Sequence, residues 1–268
     1  MRPIAGLPMY DFPEVRLLTD DLWHAIAARL KAGGIKAPDN LIRPADLMEF
    51  WRSPDLLLGQ TCGYPLTRYL GDAVQLVATP HYTAPGCVGA WHNSVIVVAA
   101  GSPAKTLDDL RGKTAVINER GSNTGMNLLR ASVAPLAGGR PFFGAVVESG
   151  GHARSLEMVG AGESDVAALD CVTFALMQRY RPEKAARVRI IGQTPSTPAL
   201  PLVTAAATPL ATLDALRKAL LEVAADPDLA VLREALFLKG FEVLPVEAYK
   251  RVVALEEGAE AAGYPVLL

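Results

Sequence analysis

Short apolar runs alternate along this chain with longer segments whose apolar residues recur every three or four positions. A bounded apolar run reads as a buried strand, and the longer spacing reads as one face of a helix. Strands are expected at residues 4–7, 55–60, 74–78, 95–100, 114–118, 146–148, 166–169, 188–191 and 203–206. The first helix is expected where Leu22, Ile26 and Leu30 recur, capped by Thr19 or Asp20 and stopped by Gly33-Gly34. Others are expected over residues 44–51, from a Thr106 cap, along Met126, Leu129, Val133 and Leu136, along Leu156 and Val159, and over 171–179. After the proline-rich connector at 195–201 and one strand, only helices are expected: Leu213 to Val223, Leu229 to Leu236, and residues 246–262.

Strand–helix alternation of this kind predicts parallel sheets with helices on both faces. Ligands of such sheets sit beyond the carboxyl ends of the strands, against helix N-termini. That rule selects four loops. In Asn118 to Gly125 a strand leads in and a helix leads out, two glycines permit close backbone approach, and Ser122 and Thr124 offer hydroxyls. The segment suits a phosphate, phosphonate or carboxylate, or it is a capped helix with a flexible entry; it lacks the Lys-Ser/Thr ending of a P-loop. His152 follows Ser149-Gly150-Gly151 and either donates to an anion or caps its helix. Asp170 ends an apolar strand and either caps the next helix or faces a ligand. Thr61 and Tyr64 follow another strand, and Tyr10 holds the equivalent place after the first; each tyrosine is a pocket wall or a core residue.

Composition narrows the function classes. Half the residues are hydrophobic, a fifth are charged and the net charge is −2, so the chain is globular and has no basic stripe for nucleic acid. No apolar run approaches the ~20 residues of a spanning helix. The N-terminus shows no apolar leader, so the chain as written is expected in the cytoplasm, or in the periplasm if a signal has been trimmed. The three cysteines, Cys62, Cys87 and Cys171, have no metal-site spacing and are expected as free thiols, a Cys62–Cys87 bridge being the alternative. Cys62, His152 and Asp170 would make a nucleophile, base and orienter, but no nucleophile signature surrounds them. No catalytic residue, metal ligand or cofactor is assigned.

The order of these motifs resembles the phosphate/phosphite/phosphonate-binding proteins of ABC importers, which have the type II periplasmic-binding-protein fold. The resemblance rests on residues 102–113, then Ser122-Asn123-Thr124-Gly125, His152, Gly162 to Ala167, and Asp170, with Leu7 to Asp11 and Gly63-Tyr64 fitting the first lobe. It implies an α/β fold of two lobes, with mixed sheets flanked by helices and two crossovers. Lobe 1 would hold residues 1–92 and 197–268, lobe 2 residues 93–196, with the ligand cleft between them. It implies a solute-binding protein for a small anionic ligand, with an ABC permease as partner. The implied ligand-binding residues are Tyr10, Thr61, Tyr64, Ser122, Asn123, Thr124, Gly125, His152 and Asp170, with Asp170 facing a ligand amine. Asn123 stands where a second hydroxyl residue is common in the family. The alternative function is a biosynthetic, lyase-like enzyme of the same fold acting on a carboxylated metabolite.

Overall fold

The computed structural model describes residues 2–268. Its strands are β1 (Ile4–Gly6), β2 (Leu56–Gln60), β3 (Val74–Tyr82), β4 (Trp91–His92), β5 (Ser94–Ala99), β6 (Thr114–Ile117), β7 (Ala145–Glu148), β8 (Val166–Asp170), β9 (Val188–Gln193), β10 (Thr197–Pro198), β11 (Leu202–Ala205) and β12 (Leu238–Glu242). The helices are α1 (Arg16–Ala32), α2 (Leu47–Trp51), α3 (Gly63–Pro65), α4 (Leu128–Ala137), α5 (His152–Gly160), α6 (Cys171–Tyr180), α7 (Pro182–Ala185), α8 (Leu210–Ala225), α9 (Ala230–Ala235) and α10 (Lys250–Ala261). Chain contacts divide them into two units. The first is residues 2–83, 88–90 and 198–248; the second is 84–87, 91–197 and 249–268.

The first unit carries a five-stranded sheet in the order β1-β2-β11-β3-β12. β1 and β2 are parallel, while β11 runs antiparallel to β2 and β3, and β12 antiparallel to β3. The second unit carries the order β7-β6-β8-β5-β9, in which β7, β6 and β8 are parallel and β5 is antiparallel to β8 and β9. The sheets are therefore mixed, not purely parallel as alternation alone predicts. Hydrophobicity reports that a strand is buried and leaves its direction open.

Strand β5 shows why the second sheet is stable. Val95, Ile96, Val97 and Val98 are all nearly inaccessible, so both faces of the strand are covered. Val95 and Val97 join Val116, Leu169, Leu156 and Phe174 in one apolar cluster. Each such side chain contributes roughly 1.5–3 kcal/mol on burial.

Four local expectations are corrected. Helix α1 starts at Arg16, upstream of the expected caps, and Thr19 lies inside it with its hydroxyl donating to the Val15 carbonyl. Thr106 does not cap a helix. Asp109 accepts from the Lys105 and Thr106 N–H groups and the Thr106 hydroxyl, and only a short 3₁₀ turn, Asp108–Leu110, forms. Strand β12 falls between two expected helices, where no strand is expected. Phe237, at φ 54°, ends the preceding helical stretch, and β12 then pairs with the far half of a long β3. Residues 249–268, expected with the first lobe, belong to the second unit. Arg130 of α4 is 3.1 Å from Glu256 of α10 and donates to the Pro265 carbonyl, while Asn127 donates to the Val252 carbonyl.

Among the described residues, no helix is long and apolar enough to cross a membrane. The Arg130–Glu256 pair is nearly inaccessible to solvent, so removing one charge strands the other. Glu256→Ala is expected to lower unfolding stability by about 3–5 kcal/mol, measured by urea denaturation.

Candidate functional site

The parallel strands β6, β7 and β8 end at the same edge of the second unit's sheet, and antiparallel β5 begins there. The Cα partner of Ser94 is Asp170, so the start of one strand lies beside the end of the other. Three helical segments leave that edge: a wide turn at Asn123–Asn127 that leads into α4, then α5 from His152, and α6 from Cys171. Their N-terminal N–H groups lack intrahelical acceptors, which gives the edge partial positive charge.

The turn Asn123–Asn127 is a π-helical one: Asn127 and Leu128 donate to carbonyls five residues back, those of Ser122 and Asn123. Such turns are locally wide and recur at functional positions. The Ser122 hydroxyl caps the turn by accepting from the Gly125 N–H at 2.9 Å. The Ser94 hydroxyl donates to the Thr124 carbonyl at 2.8 Å. Asn123 donates to the Thr197 hydroxyl at 2.9 Å and accepts from Asn127 at 3.2 Å, so it braces the loop. Gly125 sits so close to its surroundings that a Cβ there would run into the Asn118 side chain and lie 3.2 Å from the His152 ring.

That closeness brings Thr124 and His152 together, with 2.9 Å between Oγ1 and Nε2. Burial holds the His152 pKa below its ordinary value, and the nearby His92 acts in the same direction, against the opposing pull of Asp170 and the Ala168 backbone. The ring is therefore neutral at pH 7, with one nitrogen able to donate and the other to accept. Thr124 and neutral His152 form a small polar pair between two helix starts.

Asp170 takes the capping role of the two roles that the sequence leaves open. Its Oδ1 accepts from the Val172 and Thr173 N–H groups at 2.9 and 3.0 Å. Its Oδ2 lies 3.1 Å from His92 Nδ1, and both side chains are 1% exposed. Both oxygens are thus engaged inside the unit, and the role expected from the resemblance, meeting a ligand amine, has no support in this geometry. His92 is the residue that sequence reasoning missed. Its only signal is its place two residues before β5, and that gains meaning once β5 is known to pair with β8.

Burial opposes charge on both members of the His92–Asp170 pair. Their close contact and mutual attraction outweigh it, raising the His92 pKa and lowering that of Asp170. The remaining expected residues lie in the first unit. Thr61 is fully buried at the end of β2, its N–H donating to the Pro201 carbonyl. Tyr10 packs edge-on against Tyr82 at 5.4 Å, and Tyr64 edge-on against Tyr69 at 5.9 Å, both rings being buried.

The charged pair has a pH signature. His92, raised above 6.5, stabilises fully below that value, and the contribution is lost as pH rises through its folded pKa. Asp170, lowered below 3.8, stabilises fully above that value, and the contribution is lost as pH falls through its folded pKa. Asp170→Asn is expected to cost about 3–5 kcal/mol. The gap in Tm between wild type and variant should be widest from about pH 4 to 6.5 and narrow above neutrality. A gap that is constant from pH 4 to 9 would contradict a charged pair.

Comparison with known proteins fits this geometry into a family. The sequence pattern of the family described as "ABC transporter, phosphonate, periplasmic substrate-binding protein" matches residues 55–249. No curated protein matches the chain in sequence. Among solved structures, a binding-protein component of an ABC phosphonate transporter from Pseudomonas aeruginosa superposes with a TM-score of 0.79 at 16% identity, covering 98% of this chain and 88% of that one. PhnD1 from Prochlorococcus marinus, in complex with methylphosphonate, gives 0.77 at 14% identity, covering 97% and 98%. A Xanthomonas citri protein bound to ATP gives 0.73 at 17% identity, covering 98% of both. At these identities the structures establish the fold, which is that of type II periplasmic binding proteins. The family pattern spans well over half the chain, and the chain belongs to the phosphonate periplasmic substrate-binding protein family of ABC transporters.

Proposed function

We propose that this member of the family takes a small phosphonate- or phosphate-like oxyanion at the carboxyl edge of the β7-β6-β8-β5-β9 sheet, on Thr124, His152 and the helix starts beside them. The observation that carries the reading is the 2.9 Å Thr124–His152 pair. It is neutral, donor-bearing and set where two helices begin, so an arriving anion meets hydroxyl, imidazole and helix-start N–H donors. Ser122, Asn123 and Gly125 serve by holding the loop in place: Ser122 caps it, Asn123 ties it to Thr197, and Gly125 allows its approach to His152.

The engagement of Asp170 with His92 bears on which oxyanion. With both carboxylate oxygens in use, this acid offers nothing to an ammonium group. A ligand without an amine, such as methylphosphonate or phosphate, is favoured over 2-aminoethylphosphonate. The other expected partner is an ABC permease, which follows from the family. The lyase-like reading draws no support from the site, because Asp170 orients His92 and not His152.

Hydrogen bonds to a charged oxyanion contribute about 1.5–3 kcal/mol each, so a few of them support micromolar affinity. Thermal shift on unfolded and refolded protein, which has lost any carried ligand, tests the reading. A saturating ligand at 100 times Kd should stabilise by about 2.7 kcal/mol, a rise of several degrees. Methylphosphonate or phosphate is expected to give that rise, with no consumption of the compound. A shift with carboxylated metabolites alone, or their turnover, would overturn the assignment. Thr124→Val is expected to weaken binding about tenfold or more while the unliganded protein still folds cooperatively, with stability lowered by about 1–3 kcal/mol for the stranded His152. Unchanged affinity in that variant would remove the loop from the site.

A further inference from the structure

Cys87 and Cys171 stand 84 positions apart in the chain, yet their sulphurs are 3.4 Å apart. Cys62 is buried and belongs to the first unit, whereas this pair lies within the second. The approach is built by backbone on both sides. Cys171 is the first residue of α6, and its N–H donates to the Asn93 carbonyl at 3.1 Å. Opposite it, residues 84–87 form a turn closed by the Cys87 N–H donating to the Ala84 carbonyl at 3.0 Å. Gly86 lies in that turn at φ 101°, and a Cβ there would run into the Asn93 side chain and sit 3.1 Å from Cys171 Cβ. Glycine is what lets the turn press onto the first residue of α6 and present the next sulphur to Cys171.

We propose that Cys87 and Cys171 are a paired dithiol site that closes to an intramolecular disulfide when the protein meets a small disulfide oxidant. The two sulphurs need to approach by about a further 1.4 Å to reach bonding distance, which side-chain rotation shared between two residues supplies. Cys87 is half-buried and Cys171 is 1% exposed, so the oxidant reaches Cys87 first. The Cys87 thiol gives its proton to solvent, and the thiolate attacks one sulphur of the oxidant RSSR, expelling RS⁻ and leaving a mixed disulfide. Cys171 then loses its proton and attacks Cys87 Sγ, expelling the second RS⁻. Two protein thiols are oxidised to one disulfide, and one oxidant disulfide is reduced to two RSH that carry the two protons. The hydrogen bond with Cys87, burial and the charge of Asp170 push the Cys171 thiol up, so Cys87 is the thiol that meets the oxidant first and Cys171 attacks only once the mixed disulfide lies beside it. The family's periplasmic setting is an oxidising one, in which such bonds persist.

The test uses the full chain and oxidised glutathione, followed by alkylation under denaturing conditions and non-reducing peptide mapping. The expected product is lighter than the reduced protein by about two mass units, the two thiol hydrogens. It retains one alkylatable thiol, Cys62, and yields one cross-linked peptide pair containing Cys87 and Cys171. Cys62→Ser should give the same cross-link, and Cys87→Ser should abolish it. Three alkylatable thiols after oxidation, a stable glutathione adduct with no cross-link, or a cross-link through Cys62 would each overturn the proposal. None of these outcomes depends on which ligand the protein binds.

Discussion

A single carboxylate organises the second unit. Asp170 ends the central strand β8, begins α6 and faces His92 ahead of β5, so one side chain joins the three elements that meet at the edge of the sheet. Its two oxygens divide the work, one taking the exposed N–H groups of the helix and the other the imidazole. Without that division the first turn of α6 would hold unmet donors in a dry interior, and a buried histidine would lack its counter-charge. The positions of Ser94, Thr124 and Cys171 are all set relative to this point. The Ser94 hydroxyl holds the Thr124 carbonyl, and Cys171 takes its register from Asn93.

The site proper is less charged than its foundation. The His92–Asp170 and Arg130–Glu256 pairs buried in this unit carry charge, and what residues 122–125 and His152 themselves present is hydroxyl, amide and neutral imidazole. This is a sound arrangement for an anion held by a protein of net charge −2, where selectivity comes from local dipoles and not from the overall field.

Much of this was legible in the sequence, because hydrophobic runs and glycine-bearing loops are local signals. The strand-to-helix entries at Ser122, His152 and Asp170 could be marked from spacing alone, as could the buried run of β5. What was hidden depends on pairing. His92 has no local signature, and it matters only because β5 lies antiparallel beside β8. Strand β12 was hidden because Leu238 to Glu242 carries a lysine and a glutamate; it is an edge strand whose order comes from β3. The affiliation of α10 was hidden for a similar reason. Glu256 resembles any surface acid on a helix until Arg130 is placed beside it. The meeting of Cys87 with Cys171 likewise follows from a glycine turn reaching across the fold.

The π-helical turn at Asn123–Asn127 places a constraint on chain length at this point. Helix geometry advances side chains by ~100° per residue. Losing one residue from the turn would restore ordinary helical bonding, but it would rotate every later side chain of α4 by about that angle. Asn127 would then face away from Asn123 and Val252, and Arg130 away from Glu256. The loop can therefore exchange one hydroxyl or amide side chain for another far more readily than it can change its number of residues. Descendants of this sequence should diverge in ligand by substitution at 122–124, with Gly125 kept and insertions and deletions pushed out to the surface turns.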